Sequence, residues 1–579
     1  MAANRDWALL IGAAVLGAAG CLVVTPLDDL PGEKIADNRG GEAHAGSGHG
    51  GTTQGGEAGE GGEGAQPQGG SGATSGNAGN SGTGGIAPGA CQTNAECVQA
   101  NADEPYRCRP SDHTCVALRT DACPLVFGAV SNPNAIYFGA FATLDGATPE
   151  DNPVLWAHQL ALGELGGDSN NGGLPDGPDG KRRPLVMIAC ENREGYVDLA
   201  MKHLAEEVQV PAVIGTLKPG DLLRAYEDHA KRDIFYLSPV SVTSSVIDDD
   251  DDGRIWNLLG QPSDFAPTYA ALLKRSEAWV RKSRGLVKTD RLKVVLVTTG
   301  DAFDSELRNS LLPTLRFNEL SITDNGEDFK GIDLDGSAEN LATKAVEIAE
   351  FAPDIVISAA SELFVMDDGL QQLIEDEWGV KAGGHPRPFY ILSPYNAGDV
   401  TALLARISGK LEGDINAGQD QQRYVGVSIA PAADISMQNA YGIRLRSKFK
   451  NAIVDTANYY DAIYYLAYAM YGANEPEGLT GTGITRGMQR LLTGDAYKIG
   501  QTPASATFKA LSVEDATIHL DSTLGLPDFD PKTGVRPVDG GVFCFKRLGN
   551  TAKLAPDVLR FDSQSETLTG DFSPCNTGF

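Results

Sequence analysis

From residue 134 onward, short runs of consecutive apolar side chains alternate with longer stretches in which apolar residues recur every three or four positions. The runs fall at 135–139, 184–190, 211–215, 234–239, 292–298, 354–358, 388–394 and 424–430. Their length, and the glycine, proline and polar residues that flank them, predict strands buried on both faces. Between them, Val197, Met201, Leu204 and Val208, or Tyr269, Leu272, Leu273 and Val280, keep the spacing of a helix that covers a sheet. Further helices are expected through Leu155, His158, Leu162 and Leu165, around Leu222 and Tyr226, through Leu307 to Leu315, Leu341 to Ile348, Leu370 to Ile374, Val400 to Ile407 and Thr456 to Met470. Strand and helix in strict alternation specify a parallel sheet covered on both sides. The pattern runs once to Pro239 and then restarts. The expected fold class is therefore α/β, with two doubly wound, Rossmann-like lobes and a ligand cleft between them at the carboxyl ends of the strands. After these lobes, 517–520, 525–534 and 541–546 read as short strands joined by tight turns.

The chain ahead of the lobes has a different character. Residues 7–20 form an apolar run after a single Arg5, too short for a bilayer span, and end in small residues as an export signal does. Residues 22–90 are dominated from about Gly40 by Gly, Ser, Ala, Gln and Glu, a composition that cannot bury enough surface to offset chain entropy. This segment is expected to be a disordered tether, with His44 and His49 solvated in it. Residues 91–123 hold five cysteines in too short a span to fold on apolar burial alone, and they predict a disulfide module. Its cysteine spacings lack the close pairs of structural zinc sites.

Setting Cys21 aside, Cys91, Cys97, Cys108, Cys115, Cys123, Cys190, Cys544 and Cys575 form an even set, suited to an oxidising compartment. Eight cysteines allow 105 pairings. The expectation is two bridges within 91–115, one between Cys544 and Cys575, and one between Cys123 and Cys190. A formal net charge of −30 opposes any polyphosphate partner, so nucleic acid is excluded.

Catalytic chemistry finds no foothold. The folded part carries no GxSxG elbow and no HExxH pair, and Gly481, Gly483 and Gly487 miss the dinucleotide fingerprint. The expectation is a protein that is not an enzyme and uses no cofactor. No metal is expected either: the unbroken run Asp248 to Asp252 lacks the alternation of a calcium loop, and Asp168, Asn170, Asp176 and Asp179 lack its closing Glu. His158 is read as packed against its helix's apolar stripe.

Several local features, in order, resemble type I periplasmic binding proteins of the branched-chain amino-acid, leucine-binding-like receptor class. They are Gly172 and Gly173 followed by basic residues and Pro184; Ala212 to Gly215; Leu237, Ser238 and Pro239; Tyr460, Asp461 and Ala462; and Asp528, Phe529 and Asp530 ahead of Thr533 and Gly534. The resemblance covers residues 134–549. It implies two lobes joined by three crossovers, an amino-terminal lobe of 134–263 and 396–515, and a carboxy-terminal lobe of 264–395 and 516–579. It also implies that the lobes close on a small ligand by hinge bending. The loop after the Ser-Pro strand would hold an amino acid through Ser238, Ser241 and Thr243. A second hydroxyl cluster is replaced here by Thr216, Leu217, Lys218 and Pro219, which suits a ligand with an extra negative group. Phe303 resembles the aromatic that covers the ligand, with Asp304 in place of the usual Gly, and Glu362 is the candidate partner for an ammonium group.

Ala18, Ala19, Gly20 and Cys21 resemble a bacterial lipoprotein signal, in which Cys21 would carry the lipid. Leu22 and Val23 after it resemble Gram-negative lipoproteins of the outer membrane. The sequence thus describes a lipid-anchored, extracytoplasmic solute-binding protein of the cell envelope. It would capture an amino-acid-like molecule and present it to an ABC permease or a signalling partner. The alternative is an envelope protein-interaction scaffold on the same fold with no small-molecule ligand.

Overall fold

A computed structural model describes residues 90–144, 152–166, 172–175, 181–193, 195–230, 233–247, 251–360, 362–366, 368–394, 401–413, 421–430, 432, 434–450, 452, 456–475, 478–548, 551–562, 565–573 and 575. Cys21, the tether with His44 and His49, and the aspartates at 168, 176, 179 and 248–250 lie outside these residues.

The cysteine module opens with the helix Asn94–Ala100, where Thr93 and Glu96 form a capping box, and continues as a hairpin of β1 (Tyr106–Cys108) and β2 (Cys115–Ala117). Its core is little more than cysteine and Tyr106. Interleaved bridges Cys91–Cys108 and Cys97–Cys115 replace the missing apolar burial. Both are closed disulfides, so the nearby sulfurs of Cys91, Cys97 and Cys108 are not free thiolates for a metal. Cys123–Cys190 fastens the module to the first lobe, and Cys544–Cys575 ties the chain's end to the second.

The first lobe is built on β3 (Leu125–Phe127), β4 (Ile136–Ala142), β5 (Leu185–Glu191), β6 (Ala212–Gly215), β7 (Phe235–Ser238) and β8 (Ile255–Asn257), in the order β3-β5-β4-β6-β7-β8. All pair in parallel except β3, which runs antiparallel to β5. The second lobe begins with β9 (Val294–Thr299), a small hairpin of β10 (Arg316–Phe317) and β11 (Leu320–Ser321), then β12 (Phe329–Leu334), β13 (Ile355–Ser358), β14 (Phe389–Leu392) and β15 (Tyr424–Ile429). A parallel pair, β16 (Asp495–Lys498) and β17 (Ile518–Asp521), follows on the first lobe. Finally β18 (Gly540–Leu548), β19 (Thr551–Asp562) and β20 (Thr567–Gly570) extend the second sheet antiparallel, giving β12-β9-β13-β14-β15-β18-β19-β20. Without the antiparallel edges, the two sheets share one winding: β5-β4-β6-β7-β8 and β12-β9-β13-β14-β15.

Alternate strand residues feed opposite cores, which is why the apolar runs are unbroken. Ile136, Phe138 and Ala140 meet Tyr460, Ile463 and Tyr464 of the helix Ala457–Gly472, whereas Tyr137 and Phe141 meet Met201, Leu204 and Val208. In the second lobe, Val294 and Leu296 pack with Leu272, Leu307 and Leu311, while Val295 and Val297 pack with Leu341, Ile348 and Ile374.

Three of the expected boundaries move. β15 pairs with β14 and β18, so the chain stays in the second lobe to about residue 430 instead of leaving it at 396. Ile518, Leu520 and Phe529 lie in the first lobe's core, so the tail crosses over near 535 instead of 516. β3 starts the first sheet before residue 134. An apolar strand has no mark of which sheet will pair with it, so partner assignment was open in each case. Residues 525–534 form turns with an isolated Asp530–Val535 bridge in place of strands. The crossovers consequently follow β8, follow β15 and precede β18. The first and third are pinned together: the Asp264 carboxylate accepts from the Gln261 N–H at 3.0 Å and the Val538 N–H at 3.4 Å. Burial raises that carboxyl above its usual range.

Candidate functional site

In a sheet of this winding, neighbouring chain connections depart in opposite directions between the first and third strands, leaving a crevice at their carboxyl ends. In the first lobe that point lies between β4 and β6, which are followed directly by Thr143 and Thr216. In the second it lies between β9 and β13, next to Thr299 and Ser358. Gly215 closes β6 with φ +144°, and a side chain there would meet the Phe141 backbone N at 2.5 Å. Only glycine lets β6 end so close to β4. The Tyr236 hydroxyl fixes the turn by donating to the Gly215 carbonyl at 2.6 Å.

A chain of polar groups runs along this edge. Asn192, the first residue after β5, accepts from the Thr143 hydroxyl at 3.0 Å and donates to the Thr216 carbonyl at 3.1 Å. The Thr216 hydroxyl lies 3.0 Å from the Tyr459 hydroxyl, on the first turn of the helix Ala457–Gly472. Thr143 is exposed, while Asn192, Thr216 and Tyr459 are half-buried, so the edge offers hydroxyls and amide groups to a polar guest. Thr143 is held by Asn152, which donates to the Thr143 carbonyl at 2.9 Å and caps the helix Pro153–Glu164. Behind Tyr459, His158 is fully buried, with its ring 5.8 Å away and neither nitrogen hydrogen-bonded. Burial pushes its pKa down to about 3, so it is a neutral packing group.

The other residues singled out in the sequence fare differently. Ser238 is buried, and its hydroxyl is used within its own turn, donating to the Val240 carbonyl at 2.9 Å. Ser241 donates to the Gly260 carbonyl at 2.8 Å, and Thr243 lies 2.9 Å from the Ser245 hydroxyl. These three hydroxyls shape the loop, as the short polar side chains of a turn commonly do. Lys218 is exposed at the start of the helix Pro219–Ala225. Phe303 is buried in the second lobe's core with Leu307 and Leu311, one helical turn apart along the helix Ala302–Thr314. Asp304 is buried beside it and accepts from the Thr299 hydroxyl at 2.6 Å. Glu362 opens the single turn Glu362–Phe364 after β13, and its side chain lies outside the described residues. Asp251 accepts from the Gly253 and Ile255 N–H groups at 2.8 and 2.6 Å, so its carboxylate shapes a turn.

A hydrogen-bonded bridge joins the walls. Glu306, on a flank of the helix that follows β9, accepts from both the N–H and the hydroxyl of Ser244, at 2.7 and 2.9 Å. Ser244 follows the carboxyl end of β7, so this bridge sets the carboxyl edges of the two sheets face to face. Thr143, Asn192, Tyr459, Ser244 and Glu306 were not singled out in the sequence. Asn192 directly after a strand was the available signal for one; Tyr459 keeps helical spacing with Ile463, Leu466 and Met470 and so reads as core, and nothing local marks Glu306 as a cross-lobe partner.

No family model and no curated protein matches this chain. Among solved structures it is similar to an ABC transporter substrate-binding protein from Desulfitobacterium hafniense in complex with Leu, at 14% identity over 73% of this chain and 100% of that one, with a TM-score of 0.48. It is also similar to a leucine-binding protein from Thermotoga maritima, at 12% identity over 73% and 98%, with a TM-score of 0.46. A branched-chain amino acid transporter substrate-binding protein from Streptococcus pneumoniae in complex with isoleucine shares 12% identity over 73% and 99%, with a TM-score of 0.45. These structural neighbours are thus binding proteins for leucine and branched-chain amino acids.

Proposed function

We propose that this chain is an extracytoplasmic solute-binding protein that takes a small, polar, amino-acid-like molecule between its two lobes. The observation that carries the reading is the pairing of two identically wound sheets whose carboxyl edges face each other, one of them lined by Thr143, Asn192, Thr216 and Tyr459. Such an edge meets the ends of a zwitterion with neutral donors and acceptors and no buried counter-charge. Hinge bending at the three crossovers would close the lobes over the guest, and the closed form would be presented to an ABC permease or a signalling partner. Lipid on Cys21 would hold the protein at the outer membrane, with the tether giving reach. The proposed role is binding, with no reaction assigned.

The test is differential scanning fluorimetry of the full chain over a library of amino acids and small organic acids. A melting shift with one compound, abolished by Thr216→Val and by Tyr459→Phe, is the expected result. Silence across the library favours the second reading, an interaction scaffold with no small-molecule ligand. One observation favours that reading: the loop at Ser244 already binds a carboxylate, that of Glu306.

A further inference from the structure

The bridge between Glu306 and Ser244 joins residues 62 positions apart, on opposite lobes. It belongs to neither core. Ser244 presents its backbone N–H and its hydroxyl to the same oxygen, Oε2, so one carboxylate atom takes two donors at 2.7 and 2.9 Å. Both donors are neutral and partly shielded from solvent, a setting in which a bond to an ionised acceptor is stronger than a neutral one. Around it the chain is built to hold both partners still. On the second lobe, Asp301 caps the helix Ala302–Thr314 by accepting from the Asp304 N–H at 2.8 Å, and Phe303, Leu307 and Leu311 anchor that helix in the core. On the first lobe, the Ser238, Ser241 and Thr243 hydroxyls shape the loop that carries Ser244. The helix Pro219–Ala225, which starts after Lys218, also packs against Ala302–Thr314 across the gap.

We propose that Glu306 is a built-in latch: its carboxylate holds the carboxyl edges of the two lobes together, so that the lobes part only when Ser244 is released. This inference rests on the solute-binding reading for its consequence but not for its geometry. In ordinary binding proteins of two lobes the ligand supplies the contacts that favour closure. Here the chain supplies one itself, and a ligand must compete with it.

The test compares the full wild-type chain with Glu306→Ala, Glu306→Gln and Ser244→Ala, without ligand. Hydrogen exchange of the peptide that contains the Ser244 amide is read together with the radius of gyration from small-angle X-ray scattering. Loss of a bond to a charged acceptor accelerates exchange at that amide by about tenfold or more in Glu306→Ala. The radius of gyration rises with it; Glu306→Gln falls between, and Ser244→Ala, which keeps the amide donor, shifts least. Unchanged exchange overturns the proposal. Faster exchange with superimposable scattering also overturns it, because the bond then shapes a loop without holding the lobes. Glu306 is half-buried on a helix flank, and strand β4 in the first core serves as the folding control: it stays protected in a folded variant. If Glu306→Ala loses that protection, Glu306→Gln and Ser244→Ala decide the question by the same two readouts. The two readings fail separately: compounds that bind without a latch signal remove the latch alone, and a latch signal with no binding compound removes solute capture alone.

Discussion

Asp461 gives the sharpest energetic prediction. It sits in the long helix Ala457–Gly472 and is fully buried, yet it is the cap of the turn that follows β17: it accepts from the Thr523 hydroxyl at 2.8 Å and from the N–H groups of Thr523 and Leu524 at 3.3 and 3.2 Å. Burial opposes the charged form and the donors favour it; burial wins, and the pKa is raised from 3.8 to about 6. Because the folded state holds the proton more tightly, this group's stabilising contribution is complete below the unfolded value of 3.8 and is lost as pH rises through about 6. At about 1.36 kcal/mol per pKa unit the full swing is about 3 kcal/mol, of which about 2.5 kcal/mol falls between pH 7 and pH 4. Asp461→Asn removes the titration and keeps the size. Guanidinium unfolding of wild type and variant, followed by tryptophan fluorescence at several pH values, isolates this term in the difference, since the other carboxylates cancel. The difference should move in favour of wild type by about 2.5 kcal/mol on going from pH 7 to pH 4. A difference that stays flat across that interval refutes the assignment of burial as the dominant cause.

Other consequences follow from particular contacts. Replacing Cys123 and Cys190 together by Ser opens a loop closed over 67 residues and should cost about 4 kcal/mol by chain entropy, read as a lower denaturation midpoint; a loss under about 1 kcal/mol would count against it. Gly487 lets the helix Gly481–Gln489 cross the helix Ala457–Gly472, where a Cβ would meet the Ala469 carbonyl oxygen at 1.9 Å. Gly487→Ala should therefore destabilise by about 3 kcal/mol, and a neutral result would show that the helices can part at no cost. His158 has no partner for either ring nitrogen, so His158→Leu should be neutral or stabilising by up to about 1 kcal/mol in the same unfolding assay. NMR titration of the wild-type ring should show it neutral throughout the range above pH 5.

Much of the architecture could be read from the residues. The apolar runs at 184–190 and 292–298 marked strands buried on both faces, found at Leu185–Glu191 and Val294–Thr299, and the restart of the pattern after Pro239 marked a second lobe. β8 is buried but only three residues long and ends in Asn257, too short to leave a run, and the edge strand β12, with exposed Gly331 and Asp333, lacks a continuous apolar signature. Lobe membership of β15 and of the residues near β17 depended on long-range pairing, which no local pattern encodes. The site was less legible still. The hydroxyls of Ser238 and Thr243 bond within their loop, that of Ser241 reaches the Gly260 carbonyl, and Phe303 packs in the second lobe's core, contacts that no local pattern announces. The residues that line the edge, Thr143, Asn192 and Tyr459, come from three separate elements and meet only in the folded chain.

The central claim is that a small molecule sits between the facing edges. Its most direct test is native mass spectrometry of the full chain, gently purified from cells that make it, with any bound compound released by denaturation and identified. The account predicts a stoichiometric mass excess from one amino-acid-like compound in the wild type, lost in Thr216→Val. Bare protein mass, both in the wild type and in Glu306→Ala after incubation with the amino-acid library, would contradict it.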